Sequence, residues 1–161
     1  MPLRISKIID YSKHMKILLA TDGSQNSKEM IRKFNGRTFP SNVKLRIVSA
    51  YEKISHKMFI HPIAASSEYY VEIDKHSLKV AENAIESAAA VLRKNKSKFS
   101  ITTAVVEGSP KVAILEAAEA FGADLIVVGS HGYGAVERFL LGSVSQSVAL
   151  HAKCSVEIVR K

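Results

Sequence analysis

Residues 125–143 read LIVVGSHGYGAVERFLLGS, and the fold is decided there. Leu125 to Val128 form a short apolar run of the kind that suits a strand buried on both faces. The run stops at Gly129. Gly132, Gly134 and Gly142 follow, and Ser143 then opens the helical pattern SVSQSVALHA, with Ser143 and Gln146 at the spacing of a capping box. A buried strand thus passes through a glycine-rich turn into a helix.

The same alternation extends outward from this point. Upstream, ADLIVVG (123–129) follows a helix expected to start at Ser109-Pro110, with serine as N-cap and proline at the first helical position. Ala113, Ile114, Ala117, Ala118 and Phe121 line one face of that helix before Gly122 ends it. Further upstream, SITTAVVEG (100–108) reads as a strand. It is preceded by a long helix over Glu68–Lys94 with a buried stripe of Val71, Leu78, Ala81, Ile85, Ala88, Ala89 and Leu92. Residues 53–67 have no period and are expected to form a long connection. NVKLRIVSAYE (42–52) and Ile17–Ala20 of MKILLATDGS (15–24) supply two more strands, joined by a helix over Lys28–Phe39 that carries Met30, Ile31 and Phe34. Downstream, CSVEIVR (154–160) is the fifth strand. The predicted class is α/β: a single-domain open parallel five-stranded sheet with helices on both faces.

Composition narrows the function. A chain of 161 residues is expected to form one domain around one core. The 47% apolar and 24% charged fractions suit a globular domain, and no apolar run approaches the ~20 residues a membrane span requires. MPLRISKIIDYSKH at the start is basic but has no apolar h-region, so a cytoplasmic location is expected. The single cysteine, Cys154, has no partner for an internal disulfide and is read as a buried small residue. A net charge of +8 makes nucleic acid or a phosphate-bearing ligand a candidate partner. The basic residues are spread over RKNKSK (93–98), the 28–57 region and the N-terminus without interleaved aromatics, which favours a solvated face over nucleic acid.

In open parallel sheets, ligands bind beyond the carboxyl ends of strands where strand order reverses. If the first and fourth strands are neighbours there, Asp22-Gly23-Ser24 faces the stretch from Gly129 to Ser143. Glycine at 129, 132 and 134 allows close approach of backbone amides and permits positive φ. Gly142-Ser143 opens a helix whose first amides are unpaired, which suits a phosphate, and Ser143 and Ser145 offer hydroxyl donors. A tight turn with no ligand is the competing reading. Asp22 is expected to cap the next helix, to touch the ligand, or both. His131 lacks a carboxylate to orient it and is read as serving loop geometry rather than as a general base. His56, His61 and His76 are too loosely spaced for a metal site, and Glu116 and Glu119 fall on an exposed helix face.

The spacing is neither a Walker motif nor G-x-G-x-x-G. As Gly129, Gly132, Gly142 and Ser143 it spells G-x2-G-x9-G-[S/T], and with it the chain resembles the ATP-binding branch of the universal stress proteins. ILLATDGS, IVSAYE and VVEGSPKVAILEAAEAFGADLIVVGSHG are similar to that family's first strand and acidic turn, its second strand, and its third strand through fourth. The resemblance implies an adenine-nucleotide alpha hydrolase-like sheet in the order 3-2-1-4-5. It also implies an ATP site accompanied by Mg2+ or Mn2+. Ala20, Thr21 and Asp22 would border adenine and ribose, and the backbone of Ala50 would contact adenine. Gly129, Ser130, His131, Gly132, Tyr133 and Gly134 would wrap the ribose and phosphates, while Gly142, Ser143, Val144 and Ser145 would hold the phosphates. The family domain is expected over 15–161, with 1–14 as an N-terminal extension.

Relatives commonly form homodimers through the last strand. Ser155 stands where the family commonly has proline, and Glu157 occupies a usually apolar position in that strand, which weakens the expected interface. The resulting expectation is a nucleotide-dependent sensor or switch in stress response. At most weak ATP hydrolysis is expected, since Arg138 is the only cation near the loop and no base for an attacking water is recognisable. The alternatives are a fold-only interaction or nucleic-acid-binding protein, and an adenylating enzyme. ATDGSQNS does not match the S-G-G-x-D-S loop that the last would require.

Overall fold

The computed structural model describes residues 14–40, 42–54, 67–94, 100–132 and 141–160. Their elements alternate: β1 (Lys16–Ala20), α1 (Gln25–Asn35), β2 (Lys44–Tyr51), α2 (Ser67–Lys94), β3 (Ser100–Glu107), α3 (Pro110–Phe121), β4 (Leu125–Gly129), α4 (Ser143–His151) and β5 (Ser155–Val159). All strand pairs are parallel, and the order across the sheet is β3-β2-β1-β4-β5. The single-domain, five-stranded α/β sheet read from the sequence is the one found. β1 is held at its start by Asp124, whose carboxylate accepts the Lys16 N–H at 2.9 Å while its own N–H donates to Lys16 O at 2.8 Å.

Alternation along β1 builds two cores. Ile17 and Leu19 join Leu45, Ile47 and Val127 on the face covered by α1 and α2, where Phe34, Met30, Ala88 and Leu92 are fully or almost fully buried. Leu18 and Ala20 join Val48, Ile126 and Val128 on the face covered by α3 and α4, against Ile114, Ala118 and Val148. A one-residue slip of β1 would exchange the two sets, so register and layer order fix each other.

Local chemistry shifts some boundaries. The helix expected from Lys28 starts at Gln25, because Ser24 is the N-cap and its Oγ accepts the Ser27 N–H at 3.2 Å. It ends at Asn35, so Phe39 lies beyond it and packs its ring on Phe34 at 4.8 Å between centroids. Val71, expected in the buried stripe of α2, is 46% exposed. The 28 residues of α2 make a helix about 42 Å long. An eight-residue strand such as β2 or β3 spans about 26 Å, so the first turns of α2 have no sheet beneath them. Ser109 and Pro110 open α3 as expected, although it is the Ser109 carbonyl, not its hydroxyl, that accepts the Val112 and Ala113 N–H groups at 2.9 and 2.8 Å. Gly122 closes α3 at φ 66°, a left-handed position that glycine adopts without penalty.

Most of the expected connection at 53–67, the histidines His56 and His61, and residues 1–13 lie outside the described residues. No helix among the described residues is long and apolar enough to cross a membrane.

Candidate functional site

The site follows from where β1 stops. Its pairing with β4 ends at Leu19↔Val127 and with β2 at Ala20↔Val48, after which the Thr21 N–H donates to Val48 O at 2.9 Å and the chain turns away. β2 runs on to Tyr51 and β4 to Gly129, so a crevice opens above the end of β1. Backbone groups alternate sides along a strand. Val48 O reaches β1 and Tyr51 O reaches Gly108 N beside β3, at 2.8 Å, so the N–H and C=O of Ala50 point toward the space that β1 has left.

The turn at the lip of β1 is held from within. Asp22 Oδ1 accepts the Ser24 N–H at 2.9 Å, an Asx turn. Below it, Thr21 Oγ1 donates to Ser27 Oγ at 3.1 Å, and Ser27 Oγ in turn donates to Ser24 O at 3.0 Å. The expected capping of α1 by Asp22 is therefore corrected: Ser24 caps the helix, and Asp22 shapes the turn before it. That arrangement leaves Oδ2 directed at the opposite wall, where an ideal Cβ built on Gly132 would lie 2.6 Å from it.

Across the crevice, Gly142 is the N-cap of α4 and has no side chain to bond the helix's first amides. The capping box expected from Ser143 and Gln146 is not formed. Ser143 is already the first helical residue, because Gly142 N is drawn to Ser130 O at 2.7 Å and Gln146 N to Gly142 O at 2.9 Å. Ser145 latches this corner from the buried side, its one hydroxyl proton shared between Ser130 O and Gly142 O at 3.0 and 2.9 Å. A Cβ on Gly142 would meet Ser130 O at 3.1 Å and His131 Cα at 3.3 Å, both backbone atoms.

Positive φ belongs, among the described residues, to Gly23, Gly108 and Gly122. Gly129 and Gly132, where glycine would permit positive φ, do not adopt it. At Gly132 and Gly142 the constraint is space, since backbone or carboxylate occupies the position of the missing side chain.

These walls enclose a cavity of about 650 Å³. Of the residues singled out in the sequence, Ala20, Thr21, Asp22, Ala50, Gly129, His131, Gly132, Gly142, Ser143, Val144 and Ser145 line it. Ser130 does not reach the wall. It is 5% exposed, its N–H donates to Val159 O at 2.9 Å, and its hydroxyl lies 3.1 Å from His131 Nδ1, so it ties β5 and α4 to the loop. Tyr133, Gly134 and Arg138 lie outside the described residues.

Ser27, Val48, Pro110, Ile114, Leu141, Val128 and Gln146 complete the lining and were not anticipated. Val48 and Val128 share the sheet face of Ala20 through the register of β1 with β2 and β4. Ile114 and Pro110 reach the wall only because α3 crosses that face. The cavity is accordingly two-ended, with Val48, Ile114, Val128 and Pro110 on the apolar side and glycine amides, hydroxyls and one carboxylate at the other. No cluster of three or more histidine, cysteine or acidic side chains that could hold a metal occurs among the described residues.

Beyond Ala50, at the C-terminal rim of the sheet, Lys53 pairs with Glu107 at 2.5 Å, and that hydrogen bond raises the lysine's pKa above its ordinary value. At the far edge, both terminal nitrogens of the Arg37 guanidinium meet Glu157, with Nη1 2.6 Å from Oε2. The hydrogen bond to Glu157 holds the Arg37 pKa above its ordinary value. Cys154 is half-buried rather than buried, and desolvation, with Asp124 nearby, pushes its thiol pKa up.

Comparison with known proteins bears on this crevice. A Staphylococcus aureus (strain USA300) protein named as a universal stress protein is 31% identical over 148 residues, 91% of this chain and 84% of its own. Three solved structures share the fold. UspA from Lactobacillus plantarum superposes with a TM-score of 0.73 at 20% identity, covering 92% of this chain and 99% of that one. A universal stress protein in complex with cAMP gives a TM-score of 0.60 at 26% identity, covering 91% and 97%. An Arabidopsis thaliana family protein with AMP bound gives 0.64 at 18% identity, covering 91% and 92%. The universal stress protein family model matches residues 13–160, which contain the whole sheet, and the chain belongs to that family.

Proposed function

We propose that this chain binds an adenine nucleotide, ATP with Mg2+ or Mn2+, in the crevice above β1, and works as a nucleotide-dependent sensor or switch in stress response. The observation that carries the reading is the uncapped N-terminus of α4 opening on the same cavity as Gly132 and Asp22. The first amides of a helix carry partial positive charge, and a glycine N-cap leaves them to an anionic ligand. The outward N–H and C=O of Ala50 match the acceptor and donor on the Watson–Crick edge of adenine. Solved relatives holding cAMP and AMP support the same ligand class.

Thr21, Asp22 and Ala20 lie toward the sugar in this reading. Gly129 to Gly134, with Ser130 acting through His131, wrap the phosphates, and Gly142 to Ser145 hold them. A lone carboxylate at an anion site fits a divalent ion that keeps most of its waters, as magnesium does, and Asp22 is the residue to hold it. The ion would offset the phosphate charge facing that carboxylate.

The family domain is taken as 15–161 with 1–14 as an extension, the location as cytoplasmic, and the assembly as a homodimer through β5. The Arg37–Glu157 pair neutralises the charge that would otherwise weigh against that edge.

Calorimetric titration tests the reading. ATP, with and without Mg2+ or Mn2+, and AMP are titrated into the wild type and into Gly132→Val. Saturable binding that the valine weakens by about tenfold or more is expected, since one lost charge-assisted contact is of that size. Binding unchanged by the valine, or none at millimolar nucleotide, refutes it.

A further inference from the structure

A second cavity, about 360 Å³, lies between α1 and α2 on the other side of the Thr21–Gly23 turn. Its volume falls at the lower end of small-molecule sites, which begin at about 300 Å³. Its cause is legible: Ala84 and Ala88, one turn apart on α2, face Ile31 on α1, and their methyl groups do not fill the gap between the helices. These three are buried beneath the cleft, and Val80 and half-buried Val91 add accessible apolar surface to its lining.

The rims differ in chemistry. Lys28 and Arg32, one turn apart, line the α1 side, and Asn83 and Ser87, also one turn apart, line the α2 side. Arg32 lines the cleft while donating to Glu29 at 3.0 Å through Nη1, and Lys28 has no salt bridge among the described residues. Asp22 is the one carboxylate in the lining. Its Oδ1 is held by Ser24 N and its Oδ2 is directed at Gly132, so its charge belongs to the first cavity. A cationic edge and an amide-hydroxyl edge across an apolar floor complement an anion with an apolar body.

We propose that the α1–α2 cleft is a second ligand site, for a small monocarboxylate with an aliphatic tail. Lys28 and Arg32 hold the carboxylate, Asn83 and Ser87 donate to it, and the tail lies over Ala84 between Val80 and Val91. The site is independent of the nucleotide reading, because no residue on which its charge recognition rests belongs to the first cavity.

The probe is octanoate, titrated into 15N-labelled full chain without nucleotide, with octylamine as the cationic match. Saturable amide shifts at Lys28, Arg32, Ala84 and Ser87 are expected, with no shift at Gly142–Ser145. Octylamine should bind at least about tenfold more weakly, and Lys28→Glu should weaken octanoate by about tenfold. Ala84→Leu, which fills the floor, should abolish binding. If that variant does not fold, the exposed Lys28→Glu decides alone. No saturable shift by 10 mM octanoate, equal binding of octylamine, or affinity unmoved by Lys28→Glu overturns the proposal.

Discussion

Replacing Gly132 by alanine separates two reasons for a glycine: conformation and space. The φ of Gly132 lies outside the left-handed region that Gly23, Gly108 and Gly122 occupy. On backbone grounds alone, alanine there would stabilise by about 0.4–1 kcal/mol, through the entropy of the unfolded chain. Space argues the other way, because the new Cβ would lie 2.6 Å from Asp22 Oδ2. Asp22 cannot swing aside freely, since its Oδ1 accepts the Ser24 N–H at 2.9 Å.

Clearing the methyl gives up that charge-assisted bond, a loss of about 1.5–3 kcal/mol. The net is a destabilisation of about 1–2 kcal/mol, or roughly 2–8 °C in Tm for a chain of this size. Thermal melts of the wild type, Gly132→Ala, Asp22→Ala and the double variant form a cycle that isolates the contact. With Asp22 removed, alanine at 132 should be neutral or stabilising. A cost that persists in the Asp22→Ala background, or no cost with Asp22 present, refutes the reasoning.

Ser145→Ala removes a buried hydroxyl that serves Ser130 O and Gly142 O, so a loss of about 1–2 kcal/mol is expected in chemical denaturation; unchanged stability would mean the latch does not hold. Gly122→Ala places a side chain at φ 66° and should cost about 1–2 kcal/mol. Gly129→Ala, whose Cβ meets nothing nearer than 3.6 Å, should be tolerated, and the reverse order of their melting temperatures would contradict both statements. Desolvation, followed by Asp124, raises the Cys154 pKa, so the fold favours the neutral thiol. Alkylation near neutral pH should therefore be slower than for the same cysteine in the unfolded chain. The stabilisation tied to this group is present below the unfolded thiol's pKa and is lost as pH rises from there through the folded one. Equal alkylation rates for folded and unfolded chain would remove that account.

What the sequence determined by itself was local or periodic. The apolar runs Ile17–Ala20 and Leu125–Val128, the stripe through Ala81–Leu92, Pro110 at a helix start and Gly122 at a helix end each depend on residues a few positions apart. Such signals survive without knowledge of what packs against them. The glycine spacing from 129 to 143 located the loop for the same reason.

Other features depended on which segments meet. Ser143 has the spacing of a cap, yet Gly142 takes that role because Ser130 O captures its N–H across twelve residues of chain. Asp22 reads as a cap, but Ser24, directly before Gln25, takes the Ser27 N–H and Asp22 is left to face Gly132. The charge of Glu157 looks misplaced in a strand until Arg37, 120 residues away in sequence, closes on it. Ile114 enters the cavity wall and Ser130 leaves it through the crossing of α3 and the pairing of β4 with β5. Hydrogen-bond competition and steric exclusion between distant segments exist only once the sheet order brings them together, and no periodicity in a single segment encodes them.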